Sequence, residues 1–299
     1  MRSACAWSCA ILAWTASAQE LEPRAYANTP IGLNFVLSAY TYQDGGASPD
    51  PAVPLTDASA HINGATIAYA RSFDLLGNSA KFDIVLPYAW FSGSAKYAGQ
   101  LHERDVSGLG DPRFRLSVNL YGAPALTMKE FASYHQDVIV GASVYVWAPL
   151  GQYDPTKVIN IGTNRWAIKA ELGVSKALGP WTLELVPGVT FFTDNTDFFN
   201  GHTRSQDPLY SVQAHVIYGF ESGIWLAADA TYFTGGQTSL NGVVDQDREA
   251  NSRIGTTLAV PIDRNNSIKL YASTGVSTRT GSDFNTFGVA WQYRWGGGL

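Results

Sequence analysis

Apolar and polar residues alternate along most of the chain, in segments of about ten to fourteen residues that are separated by clusters of Gly, Asn, Asp and Pro. Because successive side chains of a β-strand point to opposite faces, this alternation predicts strands with one apolar face and one polar face. It predicts twelve strands, at 31–42, 60–73, 79–92, 109–121, 135–148, 163–177, 181–193, 208–220, 224–234, 251–262, 267–278 and 284–295.

The connections between these segments alternate in length. Four are tight turns, at 74–78, 179–180, 221–223 and 263–266. Five are long, at 43–59, 93–108, 149–162, 194–207 and 235–250. On the short side only the connection 122–134 is longer, and its sequence predicts one or two helical turns. Short turns at one rim and long loops at the other are typical of outer-membrane barrels, in which the short turns face the periplasm.

The two faces of the strands predict which side meets lipid. In 109–121, Leu116 lies on the apolar face, and Arg113 and Arg115 lie on the opposite face. Aromatic residues collect near the strand ends, as the two interfaces of a membrane select. They are Tyr40, Tyr42, Trp90, Trp147, Trp166, Phe191, Tyr210 and Tyr232 at the long-loop rim, and Phe73, Trp181, Phe220, Trp225 and Trp295 at the other. We therefore predict an all-β fold: a single transmembrane antiparallel β-barrel of about 12 strands, with short periplasmic turns and long extracellular loops.

The polar face supplies the candidate lumen-lining residues. They are Lys81, Asp83, Arg113, Arg115, Asp137, Lys169, Glu171, Glu184, His215, Asp229, Arg253, Lys269 and Arg294. Charges of both signs inside a narrow barrel are expected to pair across neighbouring strands, because an isolated ion there is costly. The residues either fill the interior with salt bridges or form a charged constriction that selects what passes. Twelve strands lie between small filled barrels and open porins, which predicts a narrow or loop-occluded passage.

Composition excludes several other classes. Only 15% of the residues are charged, against roughly 25% in an average soluble domain, while 13% are aromatic. No segment of the mature chain offers about 18 consecutive apolar residues, which excludes a helical membrane protein. A net charge of −5 without a basic run argues against nucleic-acid binding.

The N-terminus has the pattern of a secretory signal peptide. Arg2 is followed by an apolar stretch and then by Ala16-Ser17-Ala18, a small-x-small cleavage pattern. We predict a signal peptide at 1–18 and a barrel domain at 19–299. Both cysteines lie within this signal, so the mature chain has no thiol. A lipid anchor at Cys9 is the alternative, and the bulky Trp7 before it disfavours that anchor.

Residues suited to catalysis or metal binding are scarce. The histidines are His61, His102, His135, His202 and His215, and no two have HxxxH spacing. We predict no catalytic residue, no metal site and no cofactor, and therefore no enzyme. A lipid-modifying barrel enzyme is the weaker alternative, since His135 and Ser143 lie on one predicted strand, although at its opposite ends.

Two prolines fall inside predicted strands, Pro87 and Pro187. Because proline has no N–H to give to the strand ladder, we expect a β-bulge at each.

Four segments resemble one known family. They are LEPRAYANTPIGLNFVLSAYTYQDGG at 21–46, ARSFDLLGNSAKFDIVLPYAWFSGSA at 70–95, GLGDPRFRLSVNLYGAPAL at 108–126 and WAPLGQYD at 147–154. They are similar to the meta-pathway phenol degradation proteins, also described as outer-membrane transporters, and the likeness covers nearly all of the mature chain. The resemblance implies a location in the Gram-negative outer membrane and a link to uptake of phenols or related aromatics.

The sequence thus predicts an outer-membrane channel for passive uptake of small, aromatic or apolar molecules. Its expected partners are outer-membrane lipid, the small-molecule substrate and the barrel assembly machinery. The alternative is a structural or adhesive barrel that acts through its extracellular loops.

Overall fold

The computed structural model describes residues 22–48, 55–97 and 100–299, in which a long antiparallel sheet closes on itself. The strands are β1 Leu33–Ser48, β2 Leu55–Leu75, β3 Asn78–Tyr97, β4 Gln100–Leu109, β5 Arg113–Tyr121, β6 Val138–Trp147, β7 Ala167–Leu178, β8 Trp181–Phe192, β9 Asn195–Phe198, β10 His202–Gln206, β11 Leu209–Gly219, β12 Trp225–Gly235, β13 Thr238–Leu240, β14 Val243–Val244, β15 Glu249–Pro261, β16 Asn266–Ser277 and β17 Gly281–Gly296.

Thirteen strands join in one sheet, and the pairing of β2 with β3 closes the barrel. β4 pairs with 88–97 of β3, and β5 pairs with 80–85 of the same strand. β4 and β5 therefore occupy one position in the wall, and the barrel has twelve positions. The predicted twelve-stranded antiparallel barrel is confirmed. The predicted signal peptide at 1–18 lies outside the described residues.

Two segments that were predicted as loops belong instead to strands of the barrel wall. The connections predicted at 43–59 and 93–108 are largely occupied by extensions of β1, β2 and β3 and by β4. The prediction was wrong there because it required an apolar face, and these extensions have few apolar residues on either face. Strands that rise above the membrane have no lipid to meet, so their outer face does not need apolar side chains.

The predicted loops 194–207 and 235–250 form a second, smaller sheet. Its strands are ordered β14-β13-β10-β9, and all neighbours are antiparallel. On the opposite rim, the predicted helical turn is the short helix α1 Met128–Phe131. The Thr127 side chain accepts a hydrogen bond from the backbone of Glu130, and the Glu130 side chain accepts one in return, which is a capping box. In the part of the chain that the structure describes, no helix is long and apolar enough to cross a membrane.

The two strand prolines need no bulge. Within the described strands β2 and β3, Pro87 faces Thr66 in unshifted register, and within β8 and β11 Pro187 faces Val212 in the same way. Pro87 lies where β3 changes partner from β5 to β4, and its carbonyl accepts a hydrogen bond from Gly110 N at 2.8 Å. The missing N–H therefore falls at a break in the ladder, which removes the need for the expected bulge.

The strand faces follow the predicted alternation. Apolar residues such as Leu172 and Trp291 are exposed on the outside, whereas Glu171 is buried inside. Two predicted girdle residues were placed wrongly. Trp147 is buried and stacks on the inward-facing Tyr145, and the Trp225 ring lies within the barrel. Trp147 lies two residues after Tyr145, so the strand period itself directs its side chain inward.

Candidate functional site

The lumen contains a segment of the chain that precedes β1. We call residues 22–32 the N-terminal segment. Its Tyr26 is 1% exposed, and the Tyr26 hydroxyl lies 3.0 Å from the hydroxyl of Ser143 on the inner face of β6. The ring fits between Gly141 and Gly173: a Cβ at Gly141 would come within 2.2 Å of the ring, and a Cβ at Gly173 within 2.0 Å. Only glycine at both positions leaves space for the aromatic ring.

Ion pairs hold the start of this segment against β5. Glu22 accepts from Arg113 Nη2 at 3.1 Å and from the Arg115 guanidinium. Arg115 Nε also donates to Asp83 Oδ2 at 2.6 Å, which pairs β5 with β3 as the sequence predicted. The pairs lie where water is scarce, because the arginine side chains are only 10% and 15% exposed. Removing Glu22 would therefore leave positive charge poorly compensated.

Two further predicted residues, Glu184 and Lys81, contact the backbone of the N-terminal segment, and a third, Lys269, lies beside the Trp225 ring that Arg24 also contacts. Glu184 Oε2 accepts a hydrogen bond from Arg24 N at 2.7 Å, and Lys81 Nζ donates to the Ala25 carbonyl at 2.7 Å. The Lys269 ammonium lies 5.8 Å from the centre of the Trp225 ring, within the range of a cation–π contact. The segment thus uses both its backbone and its side chains to bind charged groups of the wall.

A second buried group lies on β7, β11 and β12. Lys169 forms an ion pair with Glu171 on the same strand. His215 Nδ1 lies 2.6 Å from Asp229 Oδ1, and both side chains are fully buried. Thr257 donates to the other oxygen of Asp229 at 3.1 Å. The structure brings these groups together as compensated pairs across and along the strands, which is what a poorly hydrated interior requires.

Three predicted residues lie away from this centre. Asp137 precedes β6, is exposed, and pairs with Lys176 at the turn rim. Its prediction as a lumen residue was wrong because β6 begins one residue later, at Val138. Arg294 donates to the carbonyl of Arg264 at the same rim, at 2.7 Å. Arg253 lies towards the loop rim and donates to the carbonyl of Phe284 at 2.6 Å.

The predicted long loop 149–162 folds into the outer mouth of the barrel. The buried Asp111 carboxylate accepts hydrogen bonds from Gly151 N at 2.9 Å and from Thr163 N at 2.8 Å, which ties both ends of the loop to the connection between β4 and β5. Between these ends, Ile159 and Ile161 pack on a buried apolar cluster of inward-facing residues. The loop thereby narrows the lumen from outside, as the N-terminal segment does from the turn rim.

Arg165 follows this loop, two residues before β7 begins, and its side chain is buried. Its guanidinium bonds to Gln206 Oε1 and lies 4.5 Å from the centre of the Phe192 ring. Burial, together with the nearby Arg204 charge, lowers the pKa of Arg165 to about 9. The group still has its positive charge at neutral pH, and its contacts fix the loop to the second sheet.

The structure gives no support to catalysis by His135 and Ser143. His135 is exposed at the turn rim, whereas Ser143 is buried at mid-lumen beside Tyr26 and Ser117. Among the described residues, no group of three or more His, Cys, Asp or Glu side chains could hold a metal ion.

Sequence reasoning missed Glu22, Tyr26 and the two glycines that receive the ring. The N-terminal segment does not alternate apolar and polar residues, so the pattern that predicted the strands gave no prediction for its position. The signal that could have found it is the pair Gly141 and Gly173, two side-chain-free positions that face each other on paired inner faces. Glycine inside a strand often marks the close approach of another group.

Comparison with known proteins adds the family. The sequence matches the family model described as "Putative MetA-pathway of phenol degradation" over residues 39–293. The fold is similar to an outer membrane channel from Pseudomonas putida F1, with a TM-score of 0.79, 21% identity, and coverage of 92% of this chain and 100% of that chain.

Two autotransporter domains are also similar in fold. The transport unit of AIDA-I from Escherichia coli has a TM-score of 0.53 and 10% identity, with coverage of 93% of this chain and 94% of that chain. The β domain of the Bordetella autotransporter BrkA has a TM-score of 0.51 and 12% identity, with coverage of 89% and 100%. No curated protein matches the sequence. The family match extends over most of the chain, from β1 to β17, and the chain belongs to this phenol degradation family.

Proposed function

We propose that the protein is a channel of the Gram-negative outer membrane for passive uptake of small, aromatic or apolar molecules such as phenols. Membership of the phenol degradation family supports the class of substrate. The observation that carries the proposal is the partly filled lumen. A twelve-position barrel narrowed by the N-terminal segment and by the inserted loop suits small solutes rather than large ones.

The outer surface supports a place in the membrane. Apolar side chains such as Leu172 and Leu185 are exposed around the wall, a surface that lipid would cover. The short turns then face the periplasm and the second sheet faces outside. The predicted signal peptide at 1–18 provides export, and its cleavage is part of the proposal.

The charged side chains inside the barrel influence which solutes pass, because positive and negative groups are paired. Because Glu22 and Asp83 are balanced by two arginines, Arg113 and Arg115, this cluster does not present a strong field of one sign. An ion that entered would have to exchange its hydration for groups that are already paired, which is costly. A neutral solute has no such barrier. The pairs therefore favour uncharged molecules and hold the N-terminal segment in place.

Uptake at limiting concentration tests the proposal. A strain with few general porins, with and without the protein, would be given labelled phenol, benzoate or a fatty acid. We expect the protein to raise the initial rate most for phenol, without saturation, since passage is passive. Equal rates in both strains, with the barrel present at the cell surface, would contradict the channel and favour the adhesive alternative.

A further inference from the structure

The inner surface of the barrel has two unlike halves. Inward-facing residues of β6, β7, β11 and β12 are almost all buried, because they pack on one another and on the N-terminal segment. We call these strands the packed wall. Inward-facing residues at 35–43 of β1, 62–70 of β2 and 85–89 of β3 are only half-buried. We call these residues the open wall. Partial exposure of a side chain that points into the barrel means that accessible space lies beside it.

Strand register aligns the open wall into rows across β1, β2 and β3. One row consists of Leu37, Ala68 and Val85, and the next consists of Ala39, Thr66 and Pro87. All of these side chains are uncharged, and most are small or apolar. The outward neighbours on the same strands, Ile67 and Tyr69, are exposed on the outside, which confirms that the rows face the lumen.

Glycines on the two walls show where the space is. A Cβ at Gly173 of the packed wall would come within 2.0 Å of the Tyr26 ring. A Cβ at Gly64 of the open wall would meet nothing nearer than 3.7 Å, the distance to Thr41 Cβ. The N-terminal segment therefore occupies the side of the packed wall, and the remaining passage runs along the open wall.

An aromatic ring borders the passage on β16. Tyr271 lies across Gly288 of the adjacent strand, where a Cβ would come within 2.0 Å of the ring. The Tyr271 hydroxyl lies 2.6 Å from Thr41 Oγ1 on the open wall. The passage is thus bordered by the apolar side chains of the open wall and, at one edge, by the hydroxyl groups of Thr41 and Tyr271. Such an edge suits a solute with one polar substituent.

The apolar surface continues to the outer mouth. Ala60 of β2 and Phe91 of β3 lie next to the open wall, on its side towards the long loops. They form a buried cluster with Phe284. Ile159 and Ile161 of the inserted loop cover this cluster from outside. A solute that displaced these isoleucines would meet apolar side chains from the mouth to mid-lumen.

We propose that solutes cross along the open wall, and that this uncharged surface, rather than the cluster around Arg113 and Arg115, selects neutral, flat, apolar molecules. The inference rests on the proposed function and assigns its path. Burial of apolar surface away from water is favourable in proportion to the area buried, so a small ring is stabilised by contact with the open wall. The paired charges of the packed wall offer such a ring no comparable gain.

Ala68→Phe tests the path, because it adds a ring at the centre of the open wall and removes no contact of the N-terminal segment. The matched control is Ile67→Phe, at the adjacent position on the outer face of β2. Both variants would be checked for folding by the heat-dependent shift of barrels on gels. If Ala68→Phe does not fold, Thr66→Leu in the next row replaces it.

The measurement is the initial uptake of labelled phenol by porin-poor cells. We expect Ala68→Phe to lower the protein-dependent rate about tenfold or more, because passage depends steeply on the free width of a pore, and Ile67→Phe to leave the rate unchanged. A folded Ala68→Phe barrel with the wild-type rate would overturn the path but leave the channel intact. A wild-type barrel without any protein-dependent uptake would instead overturn the proposed function.

Discussion

A single methyl group on β7 should displace the N-terminal segment. In Gly173→Ala the new Cβ would lie 2.0 Å from Tyr26 Cε2 and 2.2 Å from Cδ2, whereas carbon atoms in contact prefer about 3.5–4.0 Å. The strand is held by its neighbours on both sides, β6 and β8, so the ring is the part that must move. We expect Tyr26 to leave its place between the two glycines.

The size of the effect follows from overpacking. Extra methyl groups in a close-packed interior cost about 1–3 kcal/mol. An energy difference of that size corresponds to about a 5- to 150-fold change in an equilibrium. The displaced form of the N-terminal segment should become more populated by such a factor, although the contacts of Glu22 still oppose its complete release.

The assay is a double-mutant cycle on purified protein in planar bilayers. Gly173→Ala should raise the single-channel conductance, because the displaced segment blocks less of the lumen. Tyr26→Ala removes the ring that the methyl group meets, so Gly173→Ala should add little in that background. Gly64→Ala is the control, since it adds the same methyl group to the open wall, where the nearest atom is 3.7 Å away. It should not raise the conductance. Equal effects of Gly173→Ala with and without Tyr26 would refute the fit between ring and glycine.

Three further outcomes are expected. Glu22→Gln removes one negative charge from the pairs with two arginines, so the reversal potential in a salt gradient should shift towards anions; an unchanged potential would exclude Glu22 from the conducting path. Asp229→Asn deprives the fully buried His215 of its carboxylate and should lower the free energy of unfolding by about 2 kcal/mol in urea titrations, whereas no change would mean that the pair is not stabilising. Val243→Cys, at an exposed position of the second sheet, should label with an impermeant thiol reagent on intact cells, and Asn265→Cys, in a short turn, should not; the reverse pattern would show that the barrel is inverted.

The alternation of the sequence was sufficient to predict the wall of the barrel. Residues such as Leu116 and Leu172 must meet lipid while Arg115 and Glu171 must not. Apolar and polar residues therefore alternate along each strand with a period of two. Where the strands extend beyond the membrane, neither face has to be apolar and the alternation is lost. The outer parts of β1 to β4 were therefore predicted as loops.

The contents of the lumen could not be predicted in the same way. Glu22 and Arg115 are separated by 93 residues, and Arg24 and Glu184 by 160 residues, so no local pattern connects them. The face of Arg113 and Arg115 and an acidic partner on the neighbouring strand were predictable, but the second acid, Glu22, was not. The sequence predicted partners on β3, and the structure provides Asp83 from β3 together with Glu22 from the N-terminal segment.

Single-channel recording of the wild-type protein and of a variant without residues 22–32 tests the central claim most directly. If the barrel is a channel that the N-terminal segment narrows along its packed wall, the wild-type protein conducts in small steps and the shortened variant conducts in clearly larger ones. Silence from both forms, after each has been shown to fold and insert, would mean that the lumen is filled rather than open and would contradict the channel.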